Sequence, residues 1–286
     1  MSSLPIISSL WVGLDPSYIE ILCMKSFLDA GHRFKLYVMD DVGNIPDGVE
    51  LCDAREVYAP EFDVGPRLRH YNAVYSDIFR LHLLAQRSEI WADCDAYCLR
   101  PFVFENGYCI GFEAHKGTNS IANGVLGLPS DSPALKAALE LVHDPAPVPP
   151  YFSAADRERL EALRETGRTW GFHNLTWGAS GPMLMDHFLR ETGEIVHGLE
   201  PNVLYPGPRA FRRPLMRVPP KLDKIETPET LSVHIFGKTK RFLLQEFDGL
   251  PPEGSWLDMA LRRHGIPAED YPISPDELDQ LPRESV

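Results

Sequence analysis

An α/β protein with a mostly parallel sheet flanked by helices is the fold class this chain predicts, on three observations. Its N-terminal part reads strand, helix, strand, the spacing of a βαβ unit. An apolar helical run, Asn72 to Gln86, then leads into the short apolar stretch Ile90-Trp91-Ala92. That stretch stops at once in Asp93-Cys94-Asp95. Two carboxylates thus leave the core where a buried strand ends, which is where open α/β sheets hold their ligands.

The elements follow in order. Pro5 to Val12 reads as a first strand, ending at Gly13. Pro16 opens a helix whose apolar positions are Ile19, Leu22, Cys23, Phe27 and Leu28, with Gly31 as its stop. Arg33 to Met39 alternates like a strand, and Val49 to Cys52 forms a third. In the helix from Asn72, Val74, Ile78, Leu81 and Ala85 make one stripe, and Phe79, Leu83 and Leu84 widen it, so little of it faces water. Tyr108 to Glu113 and Ile121 to Leu128 read as further strands. Ser132 or Asp131 caps a helix to His143, four prolines stiffen 144–150, and Ala154 to Glu165 is a charged helix. Gly181-Pro182 starts a helix to about Leu189, and Leu231 to Phe236 is a last strand leading into a basic turn.

Bulk properties exclude several classes. A hydrophobic content of 44% and a charged content of 24% suit a globular protein. The formal charge of −13 argues against a nucleic-acid partner, and it makes any anionic ligand depend on local donors or a metal. No apolar run approaches the ~20 residues of a membrane span. The N-terminus lacks the basic region of a signal peptide. The expected compartment is therefore the cytoplasm, with peripheral contact at the inner face of a membrane left open. Five cysteines without a Cys-x-x-Cys pair argue against a disulfide framework or a zinc site, and Cys94 reads as a small packing residue.

Candidate site residues each carry two readings. Asp93 and Asp95 suit a hard cation, Mn²⁺ or Mg²⁺, or else are two solvated aspartates in a loop. Asp77 and Arg80 share one face of a mostly buried helix. They form an internal salt bridge, or both point into a polar site and bond a polyol. Asn119 and Asn123 bond hydroxyls or serve turns. Trp170-Gly171 and Trp177-Gly178, with His173 and Asn174 between them, suit stacking on a sugar ring or an ordinary hydrophobic plug. His234 is a metal ligand or a buried histidine before a basic turn. After it, Gly237 permits close approach of a phosphate, and Lys238 and Lys240 are point charges for one. Arg209, Arg212, Arg213 and Arg217 form a positive rim or a solvated face. No phosphate-binding glycine loop and no serine nucleophile elbow occurs.

Ser76-Asp77-Ile78-Phe79-Arg80, followed by Asp93-Cys94-Asp95 and Leu99-Arg100-Pro101-Phe102, resembles the DXD-containing sugar-binding region of glycosyltransferases. That group includes α-1,4-galactosyltransferases, initiation-specific mannosyltransferases and bacterial capsular-polysaccharide transferases, the last pointing to polysaccharide biosynthesis. Ser9-Leu10-Trp11-Val12-Gly13, Ser26-Phe27, Gly31-His32 and Leu36-Tyr37 also look like bacterial members. The likeness covers roughly residues 5–130 and returns at Gly181-Pro182 and His234. It implies a GT-A fold, Rossmann-like, over residues 1–250. The donor half would be about 1–130 and the acceptor side 131–250, with 251–286 as an extension that loosens from about Ile266.

The resemblance also implies roles. Asp93 and Asp95 match the metal-binding aspartates, and Asp77 and Arg80 match residues that bond the donor sugar. Trp11 resembles an aromatic near the uracil in clostridial glucosylating toxins. His234-Ile235-Phe236-Gly237-Lys238-Thr239-Lys240 is similar to a segment of retaining galactosyltransferases in which histidine ligates the metal and glycine and lysine hold the diphosphate. Two departures stand out: Arg87-Ser88 replaces the usual Gly-Gly, and Lys240-Arg241-Phe242 replaces Lys-Pro-Trp, which leaves Lys238 and Lys240 both eligible.

The implied reaction is retaining, metal-dependent transfer of a hexose (galactose-like, glucose or N-acetylhexosamine) from a UDP-sugar to a hydroxyl of a saccharide or glycolipid acceptor. No carboxylate declares itself a nucleophile: Asp77 and Glu113 are the candidate acids near the motif, and Asp77 is committed to Arg80, so front-face displacement is favoured over a covalent intermediate. Three rivals remain. One is an aspartyl phosphatase using Asp93, for which Tyr97 is the wrong residue at the motif's last position. The others are a nucleotide-sugar hydrolase and a non-catalytic nucleotide-sugar-binding protein.

Overall fold

In a computed structural model, residues 4–66, 68–115, 118–207 and 212–275 are described. Strand β1 (Ile7–Trp11) leads to helix α1 (Tyr18–Asp29), then β2 (Phe34–Val38) and β3 (Val49–Asp53). Helix α2 (Arg69–Gln86) feeds β4 (Ile90–Ala92) and the short β5 (Ala96–Cys98). Strands β6 (Cys109–His115) and β7 (Thr118–Gly127) form a hairpin, followed by α3 (Pro133–Val142), α4 (Ala154–Glu165) and α5 (Pro182–Glu191). The chain continues through β8 (Gly198–Leu199), the single turns α6 (Pro201–Leu204) and α7 (Arg212–Leu215), β9 (Ser232–His234), α8 (Lys238–Glu246) and α9 (Trp256–His264).

Seven strands make one sheet in the order β3-β2-β1-β4-β7-β6-β8. β1 pairs in parallel with β2 on one side and β4 on the other, while β7 is antiparallel to both β4 and β6. This is the α/β architecture with a mostly parallel sheet and flanking helices that the sequence predicts. Strand order reverses at β1, so a crevice opens beyond the carboxyl ends of β1 and β4.

Period-two alternation decides which helix each strand residue meets. Leu10, Tyr37 and Trp91 pack with α2, α3 and α5 on one face. Ile7, Phe34, Leu36, Ile90 and Ala92 pack with Met24 and Phe27 of α1 on the other. Ser132 caps α3, its hydroxyl accepting from the Leu135 amide, and Ser153 caps α4 through Asp156 N–H.

Three elements depart from the sequence reading. β5 has no separate signal in the sequence, and it pairs antiparallel with β9, setting Ala96 opposite His234. The basic turn after His234 is helix α8. The extension after residue 250 packs as far as it is described: Trp256, Leu257 and Leu261 of α9 and Ile273 are buried against Tyr18, Ile19 and Leu22 of α1, while residues 276–286 of the tail read as loosening from Ile266 lie outside the described residues. Arg209 lies outside the described residues, and Arg213 and Arg217 are exposed. All five cysteines are free thiols. No helix among the described residues is long and apolar enough to cross a membrane.

Candidate active site

Trp11 at the end of β1, Asp77, Arg80, Asp93, Asp95, Asn123, Trp177, His234, Gly237, Lys238 and Lys240 line one cleft of about 800 Å³ at the crevice beyond β1 and β4, whereas Asn119, Trp170, His173 and Asn174 are not among the residues that line it. Segments far apart in sequence build it, and local chemistry explains how each arrives.

β4 delivers the aspartates. Because Trp91 faces α2, its indole Nε1 lies within reach of the next carboxylate and donates to Asp93 Oδ1 at 2.8 Å. Arg80 comes from α2 to the same place. Its Cζ stacks 4.6 Å from the Trp91 ring centroid, and Nη2 lies 3.3 Å from Asp93 Oδ1. The remaining Arg80 donors are used as well: Nε bonds Ser76 O at 3.1 Å, Nη2 bonds Ser76 Oγ at 2.9 Å, and Nη1 bonds Asn123 O. Arg80 is 4% exposed, so the guanidinium acts chiefly on its protein neighbours. The Asp77–Arg80 pair that the helical spacing suggests is present at 3.4 Å, and both residues reach the cleft.

β7 supplies the opposing wall through a bulge. Its pairing with β6 jumps from Leu126 to Ala122, which loops out residues 123–125. Asn123 thereby turns toward α2, and its amide donates to Asp77 Oδ1 at 2.9 Å. Gly124 sits against the aspartates, its carbonyl accepting from Asp93 N–H at 2.6 Å. A Cβ at Gly124 would lie 2.7 Å from His234 Cε1 and 3.0 Å from Asp93 Oδ2. No side chain fits there, so close approach is the reason for glycine. Sequence reasoning missed Gly124, although an Asn-Gly pair inside a strand pattern is itself a bulge signal.

β9 brings the histidine. Pairing with β5 places His234 beside Asp95, with Nε2 3.2 Å from Asp95 Oδ1. One ligand atom each from Asp93, Asp95 and His234 lies within 4.8 Å of the others. His234 is 8% exposed, and its Nδ1 has no hydrogen-bond partner among the described residues. A buried ring nitrogen left without a partner costs free energy unless something binds it. Two carboxylates and an imidazole form an oxygen-rich donor set that fits Mn²⁺ or Mg²⁺.

Past His234 the chain turns sharply. Phe236 adopts φ +56°, a left-handed conformation rare for an aromatic residue, and its ring lies 4.4 Å from His234. That turn presents Gly237 and the start of α8 to the cleft. Lys238 is exposed on its rim. Lys240 is buried, with Nζ 2.5 Å from Glu20 Oε1 and 5.6 Å from the Trp11 ring centroid. Trp11 is itself fixed by its Nε1 donating to Leu14 O at 2.6 Å.

On the far wall the loop before α5 closes on Asp77. Ser180 Oγ donates to Asp77 Oδ2 at 2.8 Å. A Cβ at Gly181 would lie 2.6 Å from both Asp77 carboxylate oxygens, a second close approach by glycine. Burial pushes the Asp77 carboxyl above its ordinary range, opposed by Arg80 and by the bonds from Ser180 and Asn123. Burial likewise raises Asp93, against the pull of Arg80, and nearby Asp95 raises it further. Cys94 is a buried packing residue as expected, with Sγ 3.0 Å from Ser9 Oγ. Glu113, the other candidate acid, is buried and borders the cleft.

Among solved structures, the PaToxG glycosyltransferase is similar over 97% of this chain and 84% of that one, at 13% identity and a TM-score of 0.42. A structure described as a transferase is similar over 49% of this chain and 78% of its own, at 11% identity and a TM-score of 0.34. A cysteine-to-serine mutant, also described as a transferase, matches 50% of this chain and 78% of its own, at 11% identity and a TM-score of 0.35. No protein-family model matches the chain, and no curated protein matches it in sequence. The functional reading therefore rests on the cleft.

Proposed function

We propose that this chain is a metal-dependent, retaining glycosyltransferase that moves a hexose from a UDP-sugar to a saccharide hydroxyl. The observation that carries this reading is the convergence of Asp93, Asp95 and His234 from two strands on one point of the cleft, with a buried imidazole nitrogen unbonded there. The sheet order, with the aspartates leaving β4 beside antiparallel β7, fits the GT-A type that the sequence resemblance implies.

Asp93, Asp95 and His234 would hold Mn²⁺ or Mg²⁺, which when bound supplies positive charge to a departing diphosphate. Asp93 is oriented for this: Trp91 and Arg80 hold Oδ1, while Oδ2 lies on the side of Gly124 and His234. Lys238, exposed on the rim, is the lysine available to the diphosphate, since Lys240 is engaged by Glu20. Trp11 offers its ring to the base. Asp77 already accepts two hydrogen bonds and an ion pair, so it serves to bind and orient donor hydroxyls and is a poor nucleophile. Transfer then runs by front-face displacement. The bond from the anomeric carbon to the acceptor oxygen forms as its bond to phosphate oxygen breaks, and the acceptor proton passes to that departing oxygen.

The test is a panel of UDP-sugars with Mn²⁺, scored by thermal shift and by release of UDP with and without saccharide acceptors. One donor should stabilise the protein and release UDP faster with an acceptor. Release of free sugar at the same rate without acceptor would make the protein a hydrolase. A shift without turnover would make it a binding protein. No shift with any UDP-sugar would overturn the donor assignment.

Gly124→Ala provides a second check on the metal centre. The added methyl must displace His234 or Asp93, so Mn²⁺ affinity should fall at least about tenfold, the scale seen when groups supporting metal ligands are disturbed. Titration calorimetry with Mn²⁺ measures it, and unchanged affinity would place the cation elsewhere.

A further inference from the structure

The residues assigned to the donor leave the loop before α5 with no role beyond the bond from Ser180 to Asp77. There stands Trp177, 51% exposed, on the same cleft as Asp77 and the aspartates. Large exposed aromatics on the wall of a polar cleft are binding platforms when they are held still, because little side-chain freedom is then lost on binding.

Trp177 is held by a loop that is anchored at both ends. On its upstream side, Trp170 Nε1 donates to Pro147 O at 3.0 Å, and the His173 ring packs 4.7 Å from Phe62 and 5.5 Å from Tyr71. Downstream, Tyr151 OH donates to Ala179 O at 2.5 Å, and Ser180 bonds Asp77. Gly178 takes φ +82°, the turn that sends the chain from Trp177 down to Asp77. Beside the indole stand Arg69, with its guanidinium carbon 5.7 Å from the ring centroid, and His70, with ring centroids 5.8 Å apart. Both come from the first turn of α2, the helix that carries Asp77 and Arg80.

We propose that Trp177, with Arg69 and His70 at its side, is the acceptor subsite, and that its ligand is a pyranose stacked by its apolar face on the indole. This rests on the glycosyltransferase reading, and it assigns the acceptor a wall and a chemical class. Three features favour a sugar. An indole face matches the C–H face of a pyranose. His70 Nδ1 is an acceptor for a ring-edge hydroxyl, because its Nε2–H donates to His173 O at 3.1 Å. The direct chain from Trp177 through Ser180 to Asp77 keeps the platform in fixed register with the donor-binding carboxylate. The stacked ring would thus present its hydroxyl toward the residues that position the donor.

The test compares wild type with Trp177→Ala and Trp177→Phe, measuring Michaelis constants for the UDP-sugar and for a panel of neutral and acidic oligosaccharides. Trp177→Ala should raise the acceptor KM about tenfold more than the donor KM, the worth of one stacked ring, and Trp177→Phe should restore most of it. Because the side chain is half exposed, melting temperature should move by only a few degrees, which separates lost stacking from lost folding. Equal effects on both constants, or none, would overturn the subsite. So would an unglycosylated peptide serving as the acceptor whose KM responds. If wild type binds no UDP-sugar with Mn²⁺, the glycosyltransferase reading itself fails. If donor binding is intact and saccharide KM ignores Trp177, only the subsite fails.

Discussion

Asp93→Asn should abolish Mn²⁺-dependent transfer while leaving the fold intact. Asparagine keeps an oxygen to accept from Trp91 Nε1, so the turn after β4 retains its internal bond. What disappears is the negative charge that faces Gly124 and His234 on one side and Arg80 on the other. Loss of one preorganised charge-stabilising group lowers kcat by about 10²–10³-fold in well-studied sites, and loss of a direct ligand should reach the upper end or beyond. Such a drop corresponds to roughly 3–4 kcal/mol of transition-state stabilisation. Removing Asp95 or His234 in the same background should add little, because groups that act as one unit are not additive. Titration of Mn²⁺ and UDP release from the single and double variants provide the measurement. Wild-type turnover in Asp93→Asn would refute the ligand set.

Much of this cleft was legible in the sequence, because its parts are local. The apolar stripe of α2, the abrupt end of β4 in two carboxylates, and the three-residue spacing of Asp77 and Arg80 all show without tertiary information. What was hidden depends on pairing between distant strands. β5 is three residues long, and it exists because β9 lies beside it, so no local periodicity marks it. Yet this pairing alone sets His234 against Asp95. The β7 bulge is similar: Ile121 to Leu128 has a strand-like composition, and the jump in register appears only when β4 and β6 pull on the same strand. Gly124 and Gly181 matter for atoms they do not have, and only the approach of His234 and Asp77 reveals why. The reach of Arg80 to Asp93 follows from the side chain lying across Trp91, a contact between layers that helix spacing cannot encode.

The same reach makes Arg80→Met the substitution with the largest expected cost in stability. Methionine conserves much of the length and the packing on Trp91, so the change isolates the guanidinium. Without it, the carboxylates of Asp77 and Asp93 lose the cation they share, and the Asn123 carbonyl and Ser76 lose their donors. Arg80 is almost wholly buried and Asp77 nearly so, so water replaces little of this. Breaking a buried pair by removing one partner costs about 3–5 kcal/mol, several times the value of an exposed pair. Urea unfolding should show a lowered midpoint at an unchanged m-value. A second substitution decides whether charge is the cause. Asp77→Asn in the Arg80→Met background removes one of the stranded carboxylates but keeps an oxygen for Ser180, so the double variant should be less destabilised than the two single changes summed. Arg80→Lys tests geometry instead. It keeps the charge, but a single ammonium cannot replace the planar fork that serves Ser76, Asn123, Asp77 and Asp93 together. It should therefore recover part of the stability while Mn²⁺ affinity stays about 10- to 100-fold low, because Asp93 would no longer be turned toward His234. If Arg80→Met unfolded at the wild-type midpoint, the pair would carry no more energy than a surface contact, and Arg80 would no longer count as the residue that orients Asp93.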